Sequence, residues 1–190
     1  TLAMLREISD YRQNTGKFPQ VIFMENHGLV VTADSADECI VLHEDVNRTI
    51  REYFHMDGSF PRIQLEPAGE GVFRSNTQYL KDFFKGRDIT ASFFDNTVLY
   101  PDQLVYLNGN IAVNSTGQKL NIDTSTGEIY YNTNEKEALT MEETLLGFVY
   151  VVESIRKSSL PLKTMSQSET DFIRNWESEK YRKSLVSTNR

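Results

Sequence analysis

The chain has 190 residues, 39% of them hydrophobic and 11% aromatic, which is enough for a substantial folded core and outside the range of disordered or fibrous chains. Its formal net charge of −7, from 27 acidic and 20 basic residues, argues against a nucleic-acid partner held by phosphate neutralisation. One cysteine, Cys39, excludes an internal disulfide framework and a thiolate zinc site, and no apolar run approaches the roughly 18 residues of a membrane span. These features describe a cytoplasmic protein without a membrane partner.

From Leu2 to Gln13 the apolar residues Leu2, Leu5, Ile8 and Tyr11 recur every third position, the mark of an amphipathic helix that Asn14-Thr-Gly16 ends. The chain opens on Thr1 and is helical from its first residues, as expected of a chain entered partway through a fold. Val21-Ile-Phe-Met24 and Leu29-Val-Val-Thr32 are short strand patterns on either side of Glu25-Asn-His-Gly28. They pair as a tight hairpin or form one kinked strand. Ser35-Ala-Asp-Glu38 is a capping box, so a helix is expected from there to Phe54 with Ala36, Cys39, His43, Val46, Ile50 and Tyr53 on its buried side. His43 is then a core or subunit-interface residue.

Two turn-rich breaks, Met56 to Pro61 and Glu66 to Gly71, mark a crossing between units. A short helix is expected over Asn76–Phe84, with Leu80, Phe83 and Phe84 inward. From Leu99 to Thr133 the pattern reads as a small antiparallel meander built from Leu104–Leu107, Ile111–Val113, Leu120–Ile122 and Ile129–Tyr131. Thr140-Met-Glu-Glu143 and Ser166-Gln-Ser-Glu169 are two further capping boxes, the first opening a helix to Lys157 and the second a last helix with Phe172, Ile173, Trp176 and Tyr181 on one side. There is no Gly-x-Gly-x-x-Gly, no P-loop and no Gly-x-Ser-x-Gly elbow, so dinucleotide, nucleotide and serine-hydrolase chemistry lack support.

The chemistry-bearing motif is Glu25-Asn26-His27-Gly28. Gly28 permits backbone conformations closed to other residues, Asn26 can bond its own amides, and the turn throws the His27 imidazole off the end of a hairpin. Neutral imidazole is a common ligand of divalent transition metals, although spacing alone favours a histidine that simply serves the turn. Of the remaining candidates, Asp102 reads as a turn cap, and Trp176 and Tyr181 as packing or oligomer-contact residues. Arg74, Lys81, Lys85 and Arg87 read as a solvated basic face able to hold a phosphate.

The wider string, Val21 to Val31 with Asn-His-Gly at its centre and the capped helix from Ser35, resembles the class II aldolase and adducin family over Leu2 to Phe54. Leu99-Tyr-Pro-Asp-Gln-Leu-Val-Tyr-Leu107 and Asn175-Trp-Glu-Ser-Glu-Lys-Tyr-Arg182 look like segments of its longer members. The resemblance implies an α/β fold: residues 1–58 as the carboxy-terminal part of a three-layer class II aldolase-like core, and residues 59–190 as an α+β extension with a small antiparallel meander. It implies that His27 is one of three imidazoles on a divalent metal, usually zinc, with Glu25, Asn26 and Gly28 as supporting turn residues. The activity implied is retro-aldol cleavage of a sugar or sugar phosphate, in a homo-oligomer; a non-catalytic, adducin-like assembly module is the alternative. Members with aldolase activity also carry an upstream His-x-His pair and an acidic residue. Neither His43 nor His55 has that spacing.

Overall fold

The structure is a computed structural model and describes residues 2–56, 59–175 and 184–186. The chain divides into two compact units, Thr1–Gly58 and Ser59–Arg190. Its class is mixed α/β, with a five-stranded mixed sheet and helices in the second unit.

The first unit consists of helix α1 (Leu2–Thr15), strands β1 (Val21–Met24) and β2 (Gly28–Val31), and helix α2 (Ala36–Tyr53). Helix α1 stops where Gly16 takes φ +69° and its amide donates to the Arg12 carbonyl at 2.9 Å, a left-handed C-terminal stop that glycine adopts without strain. The two strands form an antiparallel hairpin with Val21 opposite Val31 and Met24 opposite Gly28. Thr32 closes its open end, its amide donating to the Gln20 carbonyl and its hydroxyl to the Pro19 carbonyl. The capping box of α2 is complete: the Glu38 amide donates to Ser35 Oγ, and the Ser35 amide donates to the Glu38 carboxylate at 3.1 Å.

Burial departs from expectation in this unit. Neither helix buries a residue, and Pro19 is the one buried residue among those described. Phe23 is 64% exposed and Tyr53 76%. His43, expected on a buried side, is exposed, and Asn47 Nδ2 lies 3.1 Å from its Nδ1. An apolar stripe specifies which face of a helix can be buried, and burial then requires a surface to receive it.

The second unit has such a surface. Its sheet runs β3 (Leu65–Gly69), β4 (Val72–Ser75), β7 (Glu128–Asn132), β6 (Leu120–Asp123), β5 (Ile111–Val113). Four helices expected or unexpected cover it: α3 (Gln78–Phe84), α4 (Ala91–Asn96), α5 (Pro101–Tyr106) and α6 (Glu135–Lys157), with α7 (Gln167–Asn175) against α5. The core joins Leu80, Phe83 and Phe84 of α3, Phe94 of α4, Leu120, Ile122 and Ile129 of the sheet, and Met141, Leu145, Phe148, Val149 and Val152 of α6. Phe84, Phe93, Phe94 and Phe148 form a chain of aromatic contacts with centroids 5.4 to 6.2 Å apart. Full burial of such a side chain stabilises by about 1.5–3 kcal/mol before ordering costs.

Several elements differ from the sequence reading. The break Glu66–Gly71 is instead a hairpin of β3 and β4, in which Pro67 sits on the sheet edge and the register shifts between Pro67 and Gly69; an edge strand tolerates proline because its outward amide has no strand partner. Leu104–Tyr106 is helical, and Leu107 caps that helix. Pro101 stands at the first turn of α5, and four consecutive buried residues, Gln103 to Tyr106, conceal the helical period. Gln103 explains why a polar residue can sit there: its Oε1 accepts from the Leu99 amide at 2.9 Å and its Nε2 donates to the Phe94 and Thr97 carbonyls.

The expected antiparallel meander is a mixed sheet, because β5 and β6 pair in parallel, Ile111 beside Leu120 and Val113 beside Ile122. Strands this short let residues 114–119 carry the chain back, where a parallel pair ordinarily needs a longer crossover. Asn114 (φ +53°) makes the reversal: its Oδ1 accepts from the Thr124 amide at 2.8 Å, and its amide donates to the Ile122 carbonyl. Helix α6 starts at Asn134, whose side chain accepts from the Glu137 amide at 2.9 Å, so Thr140–Glu143 lies inside it rather than at its start. The capping box at Ser166 does open α7. Ile173 is buried there but Phe172 is 65% exposed. Trp176, Tyr181 and most of Asn175–Arg182 lie outside the described residues.

Candidate functional site

The β1–β2 hairpin places Glu25, Asn26 and His27 in its loop, with Gly28 closing it opposite Met24. The His27 amide donates to the Met24 carbonyl at 3.1 Å, and Asn26 takes φ +54°, the left-handed conformation that asparagine tolerates better than most residues. Gly28 follows at φ +135°, a region where a side chain is strained whatever the space around it. The turn is thus built by Asn26 and Gly28, and His27 between them is presented to solvent. Those two residues hold the backbone, which leaves the imidazole available.

The structure brings Glu25, Asn26, His27 and Gly28 together on one loop, as the sequence motif implies. The other two histidines belong to different elements. His43 stands exposed on α2, and His55, at φ +50°, lies just past that helix. Among the described residues no three His, Cys, Asp or Glu side chains converge as a metal site would require. This chain's described residues therefore do not compose a complete catalytic metal site.

Comparisons with protein-family models, with curated proteins and with solved structures returned no match. Among the described residues no helix is long and apolar enough to cross a membrane.

Three of the four residues of the basic cluster in the second unit have side-chain partners. Arg74 pairs with Glu128 at 2.6 Å, Arg87 pairs with Glu153 at 3.1 Å and lies 4.2 Å above the Phe83 ring, and Lys81 donates to Asn76 Oδ1. Carboxylates engage both guanidiniums. Asp102 sits in the first turn of α5, where its charge opposes the helix dipole's positive end, and not before a strand.

An open concavity of about 800 Å³ lies over β6, β7 and the turn after α3, lined by Arg87, Asp88, Asn114, Asp123, Thr124 and Tyr130 among others. Its polar groups largely satisfy one another. Asp123 accepts from the Ser125 hydroxyl and amide and the Thr126 hydroxyl, in that order holding its carboxyl below the usual range, and Asn114 is committed to Thr124.

Sequence reading missed a fully buried polar constellation in the second unit. Glu142, on α6, is fully buried and accepts from Ser75 Oγ at 2.6 Å, from Thr77 Oγ1 and from Tyr131 Oη. The available signal was its spacing: Glu142 lies three residues before Leu145 and seven before Val149, inside the apolar stripe, where a carboxylate needs several donors to be tolerated.

Proposed function

We propose that the first unit is part of a class II aldolase-like core, and that His27 supplies one ligand to a divalent metal, zinc by resemblance, in a protein that cleaves a sugar or sugar phosphate by a retro-aldol reaction. The observation that carries this reading is the hairpin: the order helix, strand, Asn-His-Gly, strand and capped helix is realised element by element, with the turn geometry assigned to Asn26 and Gly28 and the imidazole left free for a ligand. The further ligands come from outside the described residues, from another segment of the protein or another copy in a homo-oligomer. Glu25 and Asn26 support the loop.

The alternative is an adducin-like assembly module that keeps the fold and performs no chemistry. What favours it is that His27 has no convergent His, Cys, Asp or Glu pair among the described residues. Metal analysis and retro-aldol assays on the complete protein and its His27→Ala variant separate the two. The enzyme reading expects His27→Ala to lower bound metal and to reduce activity by at least about tenfold, since even groups behind a ligand contribute 10- to 100-fold. Metal content unaffected by the substitution sinks it.

A further inference from the structure

Four side chains from four places in the second unit meet at one buried point. Ser75 ends β4, Thr77 precedes α3, Tyr131 belongs to β7 and Glu142 to α6, and all four are essentially without solvent contact. Their hydrogen bonds fix where a proton can sit. Ser75 Oγ accepts from the Thr77 amide at 3.2 Å and Thr77 Oγ1 accepts from the Gln64 amide at 2.9 Å, so each hydroxyl hydrogen is turned towards Glu142 Oε1. With two donors on it, Oε1 is a bare oxygen. Oε2 accepts from Tyr131 Oη, and a proton added to Oε2 reverses that bond: Oε2 then donates, Tyr131 Oη accepts, and the phenolic hydrogen turns out of the line.

No cation pairs with this carboxyl among the described residues. Tyr131 is the titratable group that faces it from β7, while β4 and the start of α3 present only hydroxyls. Of the charged residues on the same elements, Arg74 of β4 is engaged with Glu128 of β7, Lys81 of α3 with Asn76, and Glu137 of α6 with Lys119 at 2.6 Å. A buried carboxylate held by three neutral hydroxyls without a counter-charge costs more to ionise than one in water.

We propose that Ser75, Thr77, Tyr131 and Glu142 form a proton-operated latch that fastens β4 and the start of α3 to α6, closed most firmly when Glu142 carries a proton on Oε2. The latch concerns the second unit and is independent of the metal reading. Burial raises the Glu142 carboxyl above its ordinary 4.5, against the three hydroxyl bonds that work to lower it. The folded chain therefore binds this proton more tightly than the unfolded chain, and stability declines as pH rises from 4.5 through the raised folded value, then levels.

Glu142→Gln copies the protonated form: the amide oxygen accepts from Ser75 and Thr77, and the amide NH2 donates to Tyr131 Oη. Thermal and urea unfolding of the full chain, wild type against Glu142→Gln, is compared from about pH 5 to about pH 8, where one linked proton changes the folded-to-unfolded ratio by up to about tenfold per pH unit. The expected result is a wild type that loses stability relative to the variant as pH rises. A difference that is constant across the range, or that moves in favour of wild type, overturns the latch. If the variant does not fold, carboxyl carbon NMR of the wild type decides directly: titration of Glu142 above 4.5 supports the proposal, and titration at or below 4.5 overturns it.

Discussion

The two units carry similar apolar patterns and reach opposite outcomes. Helix α2 of the first unit and helix α6 of the second both have a hydrophobic stripe and a side-chain N-cap, yet α2 buries no residue while α6 buries ten. What distinguishes them is what lies opposite. Helix α6 meets α3, α5 and the sheet, and α2 meets a two-stranded hairpin of four-residue strands. Propensity and capping make a helix locally, whereas most of its stability in a folded protein comes from a packed face.

The comparison can be broken most directly in the cores. Phe148→Ala is expected to cost about 3–5 kcal/mol in urea unfolding, while Phe23→Ala in the first unit should stay within about 0.5 kcal/mol. A large loss at Phe23 would show that its face is covered in solution. The next effect is at Gly127, where an added Cβ would sit 2.5 Å from the Lys81 carbonyl oxygen at φ +78°. Gly127→Ala should destabilise the second unit by about 1–3 kcal/mol, with its amide proton shifts moving in the turn after β6 and in α3.

Caps give a finer contrast. Asn134→Ala and Ser35→Ala each remove one side-chain acceptor worth about 1 kcal/mol, but the first should lower global stability and the second should appear chiefly as faster hydrogen exchange in the first turn of α2. The smallest effect is on α7. Glu169 is held below the ordinary 4.5, first by the Ser166 hydroxyl and then by its amide. Its contribution is present above the unfolded value and fades as pH falls through the lower folded one, so α7 should loosen in acid and Glu169→Gln should remove that dependence.

Several local features were readable, although Thr140–Glu143, an equally local pattern, lies inside α6 and the β3–β4 hairpin was read as a break. The capping boxes at Ser35 and Ser166, the stop at Gly16 and the hairpin around Asn26–Gly28 depend on residues within four positions of one another, and all are present. Two of the missed features depend on more distant partners. Gln103 is buried because carbonyls six and nine residues away receive it, and Glu142 because Ser75 and Thr77 lie 67 and 65 residues upstream. The candidate site divides in the same way: the turn that presents His27 was legible, and the described residues hold no group of three His, Cys, Asp or Glu side chains that would make a metal site of it.

The parallel pairing of β5 with β6 bears on how the second unit assembles. Strands β6 and β7 adjoin through the turn at residues 124–127 and can zip together early, at small loss of chain freedom. Strand β5 has three residues and a partner running in its own direction, so pairing alone holds it weakly. It is seated only once the 114–119 loop has folded back and Asn114 has found Thr124. In a mutational map of the folding transition state, the β6–β7 turn should be formed early and β5 late, which makes Asn114 a brake on unfolding more than an accelerator of folding.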